Sequence, residues 1–144
     1  MLTSKRLSIE EAEVLMRGAA DEAGRMGIPM CIAVADDSGQ LIRFDRMDGG
    51  KISSISIAID KAFTGAAARK GTHVYNQLCV PGEPTFGIHV TNGGHFCVIG
   101  GGLPVTVDGQ VVGGIGVSSG TAVEDQACAE AALSHFREQT GYRP

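Results

Sequence analysis

The chain has 144 residues, with 12 Lys and Arg against 16 Asp and Glu for a net charge of -4, and 43% of its residues are hydrophobic. That length suits one domain, 1–144, with an ordinary core. A net negative chain with no stripe of Lys or Arg excludes a nucleic-acid backbone as an expected partner, and apolar runs far shorter than a bilayer exclude a membrane span.

The first residues carry Lys5 and Arg6 but pass straight into an acid-rich amphipathic segment, so no export signal is visible and a cytoplasmic chain is expected. Ser8 and Glu11 have the spacing of a capping box, and apolar residues recur from Ala12 through Leu15, Ala19 and Met26 until Gly27 and Pro29. This predicts a helix. Met30–Ala35 and Gln40–Arg46 then read as two strands of a hairpin about Asp36-Asp37-Ser38-Gly39. From Lys51, Ile52, Ile55, Ile59, Ala62 and Ala66 repeat with helical spacing up to Gly71, while serines, Thr64 and Gly65 keep the other sides slender. A helix so thin can pack on both faces.

Thr72–Cys79 predicts one more short turn or helix, and Pro81-Gly82-Glu83-Pro84 a loop. Phe86–Val90 and His95–Ile99 flank Thr91-Asn92-Gly93-Gly94 and predict a further hairpin. Another is expected where Asp108-Gly109 separates Val105-Thr-Val from Val111-Val112. Glycine is abundant through 93–120, and each one weakens a strand unless a bend or a close approach requires it. For Gly100, Gly101 and Gly102 beside Pro104 the expectation is a backbone laid open to a neighbour. Thr121 and Glu124 make a second capping box, starting a last helix that runs to about Gln139. Helices over an antiparallel sheet make an α+β domain.

Cys31, Cys79, Cys97 and Cys128 are widely spaced without a C-x-x-C, which predicts reduced, mainly buried thiols. His89, His95 and Cys97 fall within nine residues. On a strand His95 and Cys97 would share a face and offer an imidazole and a thiolate to one iron or substrate; the structural alternative is a cross-sheet histidine and a core cysteine. His73, beside Tyr75, is the rival metal ligand. Arg46 and Lys61 suit a carboxylate or propionate, and Asp48 and Asp125 suit proton transfer, against an alternative of ion pairs tying strand ends to helices. Ser118 and Ser119 lead into a helix start, where an anion is favoured. Neither a phosphate loop nor a Gly-x-Ser-x-Gly elbow occurs.

Taken in order, Ile32-Ala-Val-Ala-Asp, Arg46-Met-Asp-Gly-Gly, Ala58-Ile-Asp-Lys-Ala, Gly101-Gly-Leu-Pro-Val and Val112-Gly-Gly-Ile-Gly-Val-Ser-Ser-Gly followed by Glu124-Asp-Gln resemble the GlcG/HbpS-like family, from about Leu7 to Phe136. That family includes extracellular haem-binding sensors and the C-terminal domain of PduO-type cobalamin adenosyltransferases. The resemblance implies a profilin-like fold, a five-stranded antiparallel sheet between helices, and a homo-oligomer of six or eight chains. It also implies a haem-binding or haem-degrading protein; for that reading the residues themselves offer His95 or His73 as metal ligand and Arg46, Gly101, Gly102, Ser118 and Ser119 as ligand contacts. The competing expectation is an enzyme acting on a small carboxylated metabolite, with Lys61, Asp48, His95 and Asp125 as its acid–base and anion-holding groups.

Overall fold

The structure, a computed structural model, describes residues 1–144. Helix α1 (Ile9–Met26) starts at the Ser8–Glu11 capping box and ends at Gly27 in the left-handed conformation. Strands β1 (Cys31–Asp36) and β2 (Leu41–Arg46) follow as a hairpin, then helix α2 (Ser54–Ala68) and the single turn α3 (His73–Asn76). Strands β3 (Gly102–Val107) and β4 (Gln110–Ser118) form the second hairpin, and α4 (Ala122–Thr140) closes the chain from the Thr121–Glu124 capping box.

The four strands make one antiparallel sheet in the order β2-β1-β4-β3. Alternation sorts their side chains to two faces. Met30, Ile32, Val34, Val105, Ile115 and Val117 meet α1 and α4 in the larger core, while Cys31, Ala33 and Ala35 face Ala58 and Ala62 of α2. On that second face the contact is nearly backbone on backbone. A Cβ at Gly116 would strike the Ala58 carbonyl oxygen and one at Gly114 the Ala62 carbonyl oxygen, while one at Gly65 of α2 would stand 2.7 Å from the Leu103 carbonyl oxygen.

Two expectations are corrected. The sheet has four strands, not five, because Phe86–Val90 and His95–Ile99 are not strands. Their backbone bonds stay local, with Ile88 N–H donating to Thr85 O, Val90 N–H to Gly87 O and His95 N–H to Asn92 O, so 3₁₀ turns form at Ile88–Val90 and Asn92–Gly94. Asn92, Gly93 and Gly94 all have φ between 53° and 83°, which breaks the extended conformation. His95 and Cys97 therefore do not share a strand face. Phe96, set edge-on to Tyr75 at 4.9 Å, anchors this segment against α3.

Gly100, Gly101 and Gly102, expected to lie open to a neighbour, are buried within the chain instead. A Cβ at Gly102 would be 2.5 Å from the Lys61 carbonyl oxygen. The absence of side chains there lets the chain pass beneath α2.

Candidate functional site

Where β3 begins, the chain passes between α3 and the first turns of α4 and leaves a cleft of about 700 Å³. Its floor is the backbone of Gly100, where a Cβ would lie 3.4 Å from both His73 Cβ and the Ala122 carbonyl oxygen. Val74, Ala122, Val123 and Ala127 supply apolar wall, and Val123 is 80% exposed in the isolated chain. Asn76, Gln77, Gln126 and Glu130 supply polar groups, with Gln126 Nε2 donating to Glu130 at 3.2 Å. His73 lies on one side. Its ring rests over Gly71, where a Cβ would come within 2.5 Å of Nδ1, and Thr72 secures that turn by donating to Ile99 O at 2.5 Å while accepting from Gly102 N–H at 2.9 Å.

His95 stands elsewhere. Its Nδ1 is 2.8 Å from Asp60 Oδ1, and its side chain is 65% exposed. A carboxylate on Nδ1 holds the ring in the tautomer that leaves Nε2 able to accept a metal or a proton. One helical turn on from Asp60, Thr64 accepts from Cys97 N–H at 2.9 Å, so α2 carries both supports of this segment. Burial pushes the Cys97 thiol up. No three or more His, Cys, Asp or Glu side chains converge as a metal-binding group. Haem asks for less, since one imidazole beside an apolar wall suffices, and the His73 cleft fits that requirement.

Lys61 and Asp125 meet in the interior. Lys61 Nζ donates to Asp125 Oδ2 at 2.7 Å and to Val117 O at 2.9 Å, and Asp125 Oδ1 accepts from Gly120 N–H at 2.9 Å. The two side chains are 1% and 3% exposed, and neither lines the cleft. Ser118 and Ser119 also look inward, to Ser54 Oγ at 3.2 Å and Lys51 N–H at 3.0 Å. Arg46 and Asp48 are exposed at the end of β2, where Arg46, Cys31 and Ser118 fall on one rung of the sheet. Two strand spacings, roughly 10 Å, separate the Arg46 and Ser118 backbones.

Sequence reasoning passed over Asp60, Thr64, Thr72 and Gln126. The available clue was the four-residue spacing of Asp60 and Thr64, which puts both on one helix face.

Fold and cleft together define an α+β domain with one helix laid against a glycine-rich sheet face and a histidine-lined slot at the sheet's edge. The chain belongs to the family described as haem degrading protein HbpS-like, whose family model matches residues 7–134. It is 33% identical to an uncharacterized 15.0 kDa protein from the dhaT-dhaS intergenic region of Citrobacter freundii, covering 92% of this chain and 93% of that one. Klebsiella pneumoniae protein ORFY has the same fold, with a TM-score of 0.92 at 30% identity over 94% of each chain. The PduOC:heme complex matches with a TM-score of 0.86 at 28% identity, over 90% of this chain and 94% of that one.

Proposed function

We propose that the chain binds haem in the cleft between α3 and α4, where His73 would hold its iron. The observation that carries this reading is the position of His73 on the wall of a cavity that Val123 and Ala127 also line. At about 700 Å³ the cleft falls within the range of pockets that take cofactors, roughly 300–1,000 Å³. The solved haem complex of PduOC supports haem as the ligand class. Bound haem would supply iron chemistry that belongs to the cofactor; the chain's own part is ligation and exclusion of water. Lys61 is occupied by Asp125, so it is not the propionate contact in this reading.

Titrating haemin into the purified protein should give a sharp Soret band at one equivalent. His73→Ala is expected to abolish it, and His95→Ala to leave it. Retention in His73→Ala with loss in His95→Ala would transfer the role to the Asp60-oriented imidazole. No Soret change in the unsubstituted protein would end the haem reading.

In this reading the chain also assembles as a homo-oligomer. Phe86, Val90 and Ile99 are 60%, 68% and 44% exposed, and Ile52 is 79% exposed, apolar side chains that assembly would cover. Six or eight copies are expected in sedimentation, and Phe86→Asp should shift the distribution towards monomer; a monomer at micromolar concentration without that substitution would refute assembly.

A further inference from the structure

After α3 the chain carries a thiol–imidazole pair that neither the core nor the cleft uses. Cys79 Sγ and His89 Nδ1 are 3.0 Å apart, within hydrogen-bond reach. The loop between them is closed on itself. Cys79 N–H donates to Tyr75 O at 2.9 Å, fixing the sulfur one turn past α3, and Thr85 donates both its N–H, at 3.1 Å, and its hydroxyl, at 2.8 Å, to Leu78 O. The 3₁₀ turn Ile88–Val90 then sets His89 over the sulfur.

The remaining thiols differ. Cys31 and Cys128 are buried, and burial pushes both up, Cys128 to about 11; Cys97 is pushed up by the same cause. Cys79 is half-buried and His89 is exposed. Val80, the chain neighbour of Cys79, is 42% exposed and puts apolar surface beside the sulfur.

We propose that Cys79 and His89 form a nucleophilic thiol site that exchanges with small-molecule disulfides, and that Cys79 is the cysteine of this chain that becomes S-thiolated. As the sulfur attacks, an imidazole in contact with the thiol serves as general base for its proton and, as imidazolium, stabilises the developing thiolate. In the exchange the Cys79 sulfur attacks one sulfur of the disulfide, a new S–S bond forms, and the original S–S bond breaks. The departing thiolate takes up the proton that passed from Cys79 to His89. Cys79 is oxidised to the mixed disulfide, and the released half of the reagent is reduced to a thiol.

The test uses the full chain and a chromogenic aromatic disulfide, with rates followed by absorbance and the modified residue located by peptide mass mapping. In the unsubstituted protein Cys79 should react first, about tenfold faster than any other cysteine. Cys79→Ser should remove the fast phase. His89→Gln should slow it about tenfold, whereas His89→Lys, which keeps a cation beside the sulfur, should stay within about threefold of the original rate. A fast phase that maps to Cys97, or a Cys79 rate unchanged in His89→Gln, would overturn the proposal. The comparison among the four cysteines of the unsubstituted protein decides the matter even if a His89 variant folds poorly.

Discussion

Asp125→Ala should lower the unfolding free energy by about 3–5 kcal/mol, because it leaves a buried ammonium with no counter-charge. Lys61 Nζ and Asp125 Oδ2 are 2.7 Å apart with side chains 1% and 3% exposed, so neither charge has water to fall back on. The geometry around them is complete. Val117 O accepts a second Nζ proton, Gly120 N–H occupies the other carboxylate oxygen, and no buried side-chain nitrogen or oxygen in the chain lacks a partner. The bond also joins α2, on one face of the sheet, to α4 on the other. Gly101 makes room for the crossing, since a Cβ there would be 2.9 Å from Nζ and 2.7 Å from Asp125 Cβ.

Urea unfolding of single and double variants separates a tie between layers from an anion-holding lysine. Lys61→Met should cost about as much as Asp125→Ala, whereas Lys61→Met combined with Asp125→Leu should recover most of the loss, since similar apolar volume often replaces a buried ion pair without penalty. If Asp125→Ala cost less than about 1 kcal/mol, the pair would not hold the layers together. Lys61 would then be available as an anion clamp, and haem or carboxylate binding should fall in Lys61→Met with the fold intact.

The parts of the fold legible in the sequence are those whose cause is local. Ser8–Glu11 and Thr121–Glu124 announce α1 and α4 because a capping box satisfies the first N–H groups within four residues. Asp108 and Gly109, with φ of 50° and 76°, announce the β3–β4 turn because few residues adopt that conformation cheaply. The stretch 86–99 misleads for the converse reason. Its apolar alternation resembles that of a strand, yet its turns close on their own backbone and Cys97 N–H is taken by the Thr64 hydroxyl, a partner over 30 residues away. The site shows the same division. Lys61, Asp125 and His73 stand out by residue type, but the Lys61–Asp125 contact spans 64 residues and the cleft beside His73 exists only once α3 meets α4.

Gly116→Ala should be the most damaging single methyl in the chain. The glycines of 113–116 are spaced for a helix to rest on the sheet: Gly114 and Gly116 project to the α2 side, while β1 supplies only Ala33 and Ala35 beside them. Their added Cβ atoms would meet backbone oxygens of Ala58 and Ala62 rather than the ends of flexible side chains. Backbone cannot rotate away, so α2 would have to lift from the sheet. Lifting α2 also stretches the Lys61–Asp125 bond and withdraws Thr64 from Cys97 N–H. Overpacking alone costs roughly 1–3 kcal/mol, and with those two hydrogen bonds weakened as well the total should exceed about 3 kcal/mol. Gly109→Ala is the control: it lies on the exposed β3–β4 turn with no atom within 4 Å of an added Cβ, so its cost should come only from φ +76° and stay near 1 kcal/mol. Equal unfolding midpoints for the two variants would mean that α2 is not seated on the backbone of β4.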